Sequence, residues 1–186
     1  MSEATSLHEL RDKPFELLVE LERRCAASAS GRGMETGAAH EWVGVAFRVG
    51  DNLFVCARNQ VREILTYPGV TKIPGSKGWL KGLSNIRGQL LPIIDMEEYF
   101  GGQETLAGRI TRVIWVNHDD IPAGLLVDEV RGFRRFNESE LQKKTTGVAP
   151  AIQPYLTGHF ERDGETWLVL DLMRLVESQA FLQAAE

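Results

Sequence analysis

The sequence predicts a mainly β protein built as a duplicated small β-barrel, and three observations point there. Short apolar runs, several strictly alternating, are punctuated by Gly, Pro, Asn and Asp. Asp163-Gly164 separates Gly158–Glu161 from Trp167–Leu170, the strongest short-range hairpin signal in the chain. Finally, Ile93-Ile94-Asp95-Met96, running on to Tyr99-Phe100, recurs as Val169-Leu170-Asp171-Leu172, running on to Leu175-Val176. In both copies an apolar strand ends at an aspartate placed to cap a short helix, which favours two similar halves over one sandwich.

Taken in order, residues 1–12 are polar and carry no core. From Pro14, Leu17, Leu18, Leu21 and Cys25 fall on one helical stripe, so a leader helix is expected that either packs on the domain or docks a partner. Ala26–Ala39, rich in Ala, Ser and Gly, reads as a flexible linker. Val43, Val45, Phe47 and Val49 alternate with small or polar residues as a half-buried strand, and Gly50-Asp51-Asn52 turns it into Leu53–Ala57. Asn59–Leu65 has helical spacing, with Val61, Ile64 and Leu65 apolar. Leu83–Arg87 is a strand, Gly88 a turn, and Leu90–Ile94 a strand that Pro92 should place at an edge or bulge. Asp95 then caps Met96–Phe100, and Gly101-Gly102 stop it. Strands follow at Ile110–Val116, Ala123–Asp128 and Gly132–Phe136, with a polar loop over 137–154. Asp171 caps a closing helix to about Leu182. The organisation is an extension over 1–40, a domain over 41–176, and a helix end or tail over 177–186.

Composition narrows the function. Apolar residues make up 43%, enough for one sizeable core or two small ones. Lys and Arg number 21 against 26 Asp and Glu, a formal charge of −5, and no basic stripe suits a phosphate backbone. Arg131, Arg134 and Arg135 read as a solvated strand end, so no nucleic-acid partner is expected. Cys25 and Cys56 sit in different contexts and read as reduced and packed. No apolar run approaches the roughly 20 residues of a spanning helix, and no secretory or transit leader precedes the domain, so the expectation is cytoplasmic with no direct membrane insertion.

Catalytic signatures are missing. The histidines at 8, 40, 118 and 159 share no metal-ligand spacing. His118 before Asp119-Asp120 reads as a hairpin tip. Gly31-Arg32-Gly33 lacks both the preceding strand and the third glycine of a dinucleotide fingerprint, and Gly75-Ser76-Lys77-Gly78 lacks the order of a phosphate loop. Asp128-Glu129 and Glu97-Glu98 are ordinary acidic pairs. The reading therefore names no catalytic, cofactor or metal residue. The alternative is a small-ligand-binding barrel or an uncharacterised enzyme, but a five-stranded barrel fills its interior with side chains.

The Gly82–Gly101 stretch resembles the centre of the CheW family, adaptor domains of bacterial chemosensory arrays. Ala46–Gly50 and Val61–Leu65 are similar to the family's opening strand and first helix. Ile73-Pro74-Gly75 and Trp79–Gly82 are similar to the loop leading into Asn85-Ile86-Arg87-Gly88. Gly124–Val130, Leu156-Thr157-Gly158 and Val169–Leu172 complete the match in the family's order. The leader from Pro14 resembles that of PilI-type adaptors, which serve twitching motility by type IV pili. The resemblance implies two five-stranded SH3-like barrels side by side with a hydrophobic groove between them. It also implies a scaffold that joins the cytoplasmic tip of a chemoreceptor to the regulatory domain of a CheA-type histidine kinase. A CheV-like protein would need a receiver domain that the chain has no room for. Carried over by position, the receptor contacts are Val61, Glu63, Ile64 and Arg87, with Arg87 close enough to orient Glu63. The kinase contacts are Lys81, Gly82 and Asn85.

Overall fold

In the computed structural model, which describes residues 41–145 and 147–184, both halves of the repeat end in the same way. The Asp95 carboxylate accepts the backbone N–H groups of Glu97 and Glu98 and opens α1 (Met96–Tyr99); that of Asp171 accepts those of Met173 and Arg174 and opens α2 (Leu172–Val176). The leader helix and linker expected before Glu41 lie outside the described residues.

Ten strands are described: β1 (Glu41–Val49), β2 (Asn52–Ala57), β3 (Val61–Thr66), β4 (Leu80–Ile86), β5 (Gln89–Asp95), β6 (Arg112–Val116), β7 (Gly124–Val127), β8 (Glu129–Asn137), β9 (Leu156–Arg162) and β10 (Glu165–Leu170). They form two five-stranded sheets, β3-β6-β7-β5-β4 and β8-β1-β2-β10-β9. The strand order is the same in both if β8, β9, β10, β1 and β2 stand for β3 to β7. Each sheet is antiparallel except for one parallel pair, β5 with β7 and β10 with β2. The duplication is thus interlocked rather than tandem. The β1–β2 hairpin leaves its own neighbours and completes the sheet of the last three strands.

The expected alternation of β1 holds only at its C-terminal end, over Phe47–Val49. Val45, Ala46 and Phe47 are all buried, because both faces of the sheet are covered. Phe47, Phe54 and Cys56 from one sheet share a core with Ile94, Ile114 and Leu125 from the other, joined by Met96, Leu172 and Leu175 from the helices. On its far face each sheet curls over a smaller core. One holds Ala46, Val55, Phe136, Phe160 and Trp167; the other holds Leu91, Ile93, Val113, Trp115 and Leu126. Each fully buried Phe or Leu contributes about 1.5–3 kcal/mol.

Four other local expectations need correction. Asn59–Leu65 is not a helix: Arg58–Gln60 is one 3-10 turn, and Val61–Thr66 is strand β3. Its exposure alternates residue by residue, and pairing with β6 overrides a spacing that fits a short helix equally well. The β5 strand is neither an edge nor bulged at Pro92; it lies between β4 and β7. Opposite Pro92, Leu83 turns its N–H and C=O away to Thr71, and pairing with β7 begins one residue later at Ile93. The missing donor therefore costs no ladder bond, and the bulge sits in β4 between Leu80 and Gly82. The β6 strand starts at Arg112, with Ile110 exposed before it. The closing helix breaks after Val176, and Ser178 caps a separate α3 (Gln179–Leu182). That last turn belongs to the core, since Phe181 is buried and its ring stacks 6.2 Å from Trp79.

Cys56 is a free, fully buried thiol, and burial pushes its pKa up to about 12. Its alkylation in native protein at pH 8 should therefore proceed only through opening of the core. A labelling rate that rises in step with the unfolded fraction in urea is expected; labelling as fast as a free thiol in native buffer would contradict the packing.

Candidate docking groove

Where β3 of one sheet approaches β1 and β8 of the other, the shared core gives way to an open groove of about 420 Å³. The two sheets share a packed core, and this groove opens at its rim. Val61, Glu63 and Ile64 of β3 line one wall; Val45 and Phe133 line the other, and Arg58, Arg62 and Asn117 complete it. Ile64 is 36% exposed and Phe133 61%, an apolar surface that nothing among the described residues covers.

Strand geometry explains which side chains reach it. A bulge between Val61 and Glu63 interrupts the pairing of β3 with β6 and re-aims the side chains around it. The Arg62 guanidinium lies 4.5 Å from the centre of the Trp115 ring, and that of Arg58 lies 5.9 Å from that of Phe133. Glu63 points toward the β4–β5 hairpin, where Arg87 Nη2 donates to its Oε1 at 2.6 Å. Arg87 and Gly88 form the two-residue turn, with φ of 52° and 82°, as a hairpin of matching twist requires. The Asn85 side chain accepts the Gly88 N–H at 2.9 Å and holds that turn.

Lys81, Gly82 and Asn85 lie on the same hairpin, but their immediate partners are internal. The Lys81 ammonium meets Glu104 at 2.5 Å and Glu98 at 3.3 Å, with its side chain 12% exposed. Burial opposes its charge, yet the two carboxylates outweigh burial and hold its pKa above the ordinary lysine value. Gly82 has φ of 140°, and an added Cβ would sit 2.2 Å from the Thr71 carbonyl oxygen. That contact is fixed by paired bonds, Thr71 N–H to Leu83 at 2.8 Å and Leu83 N–H to Thr71 at 2.9 Å.

The chain matches the family model described as CheW-like domain over residues 43–180. It belongs to the CheW family. The Protein PilI of Pseudomonas aeruginosa is 38% identical over 172 residues, covering 92% of this chain and 96% of that one. The chemotaxis protein CheW of Klebsiella aerogenes is 30% identical, covering 72% of this chain and 80% of its own. In fold, the chain is similar to the scaffolding protein TtCheW of Thermoanaerobacter tengcongensis, with a TM-score of 0.65 over 75% of this chain and 94% of that one at 24% identity.

Within this CheW-family domain, the polar residues read as inert have structural roles. His118 Nδ1 accepts the N–H groups of Asp120 and Ile121 at the β6–β7 connection, leaving Nε2 to donate to Glu177 at 3.3 Å. Among the described residues no group of three His, Cys, Asp or Glu could hold a metal ion, and no helix is long and apolar enough to cross a membrane. Phe133 and Arg58 carry no motif that marks them as groove residues. The signal was an aromatic residue on a strand of otherwise polar exposed residues, Arg131 to Arg135.

Proposed function

We propose that this chain is a non-catalytic adaptor that couples the cytoplasmic tip of a chemoreceptor to a CheA-type histidine kinase, in a pilus system that drives twitching motility. The observation that carries the reading is the similarity to PilI along nearly the whole of both chains. Its place of action is the cytoplasm, beneath membrane-bound receptor arrays. The receptor tip, a helical hairpin, lies in the groove. Phe133, Val61 and Ile64 supply apolar area, and the Glu63–Arg87 pair sets orientation at the rim. The kinase regulatory domain meets the β4–β5 side. There Lys81, Gly82 and Asn85 hold the shape of the surface: the Lys81 ammonium is paired with Glu98 and Glu104, Gly82 packs on Thr71, and the Asn85 side-chain oxygen braces the Arg87-Gly88 turn.

Charge reversal tests the groove. Glu63→Arg and Arg87→Glu should each weaken binding of a receptor cytoplasmic fragment by about tenfold while leaving kinase affinity unchanged. The double swap should recover part of the loss, the signature of a coupled pair. Stability should move by less than about 1 kcal/mol in every variant, because an exposed ion pair is worth no more. Receptor binding at wild-type strength in both single variants would remove the pair from the docking surface.

A further inference from the structure

We propose that the groove selects a helix carrying carboxylates beside its apolar ridge, and that Arg58 and Arg62 are the residues that read them. This deepens the reading of the groove as the receptor site and rests on it. The chain as a whole is acidic, at −5, yet the groove is not. Its lining holds two guanidinium groups against one carboxylate, Glu63, which Arg87 already neutralises. Arg58 and Arg62 have no carboxylate partner among the described residues.

Each guanidinium is instead held against an aromatic ring, Arg62 on Trp115 and Arg58 on Phe133. The Arg62 contact is close and that of Arg58 is at the outer limit of a cation–π pair, and a guanidinium set against a ring can still offer N–H donors to a carboxylate. The Phe133 ring is also the most exposed apolar surface of the groove, so an apolar anchor and a carboxylate reader stand side by side. An amphipathic helix laid on Phe133 and Ile64 brings its flanking positions onto the two arginines. A neutral or basic helix in the same place would screen both cations from water without pairing them, and would bind more weakly than an acidic one.

The test uses the whole chain and a soluble cytoplasmic fragment of a chemoreceptor from the same cell, titrated calorimetrically at about 50 and about 300 mM NaCl, where screening differs strongly. Wild-type affinity should fall about tenfold across that range, as expected for charge pairing at a rim. Arg58→Gln and Arg62→Gln should each lose about fivefold at low salt and flatten the salt dependence, and neutralising the tip carboxylates of the fragment should do the same. Phe133→Ala should lose about tenfold and keep the part of the salt dependence that Arg62 carries. Arg62→Lys, which keeps the charge and the stem but not the fork, guards against loss of packing on Trp115. It should fold with the wild-type melting temperature and bind between wild type and Arg62→Gln. Salt-independent binding, or arginine variants as tight as wild type while Phe133→Ala weakens, would overturn the selection for acidic helices and leave the groove as receptor site. Unchanged binding in Phe133→Ala as well would overturn the receptor reading of the groove itself.

Discussion

Gly82→Asp is expected to destabilise the domain severely, before any question of binding arises. Its φ of 140° is a conformation that L-residues rarely adopt, and the new Cβ would lie 2.2 Å from the Thr71 oxygen and 2.7 Å from its carbonyl carbon. Both neighbours are backbone, pinned by the paired Thr71–Leu83 bonds, so nothing flexible can give way. Strain and overpacking together should remove roughly 2–6 kcal/mol, a large part of the 5–15 kcal/mol that holds a typical domain. Urea denaturation should show the loss, and Gly82→Ala should show most of it with no added charge. A Gly82→Asp protein with wild-type stability and weakened kinase binding would contradict this packing and restore Gly82 as a direct contact.

Removing the Asp95 carboxylate should cost nearly as much, and far more than removing its repeat partner. Asp95 is fully buried and serves four donors: Glu97 N–H at 3.1 Å, Glu98 N–H at 3.3 Å, Thr105 N–H at 2.8 Å and the Thr105 hydroxyl at 2.7 Å. Asp95→Ala strands all of them, and unsatisfied buried donors cost about 1–3 kcal/mol each, so a total near 3–5 kcal/mol is expected after relaxation. Asp171 also caps a helix and receives Gln60 Nε2 at 2.9 Å, but it is only half-buried. Water can replace it, and Asp171→Ala should cost about 1–2 kcal/mol. Equal losses in the two variants would refute the claim that burial, rather than capping alone, makes Asp95 critical. A cycle with Thr105→Val isolates the share carried by the cross-link to the following loop.

Much of this was legible in the chain because local chemistry decides it. Asp95 and Asp171 announce helix starts, and Asp163-Gly164 announces its hairpin; both residues of that turn have positive φ, 55° and 78°. What stayed hidden was set at long range. Nothing local tells that β10 takes β2 as a parallel partner, so two apparent tandem halves become interlocked sheets. The β3 strand is locally ambiguous because Val61, Ile64 and Leu65 satisfy helical spacing and only β6 makes the alternation decisive. Of the groove, the approach of Arg87 to Glu63 was readable from the resemblance. Arg58 and Phe133 were not, since they lie on different elements that meet only when β8 pairs with β1.

The most direct test of the central claim is reconstitution. A CheA-type kinase and a receptor cytoplasmic fragment from the same cell are mixed with and without this chain, and the complexes are separated by sedimentation. The adaptor account predicts that kinase and receptor travel together only when the chain is present, and that Glu63→Arg releases the receptor while the kinase stays bound. Assembly that is the same without the chain, or a chain that binds neither protein, would contradict it.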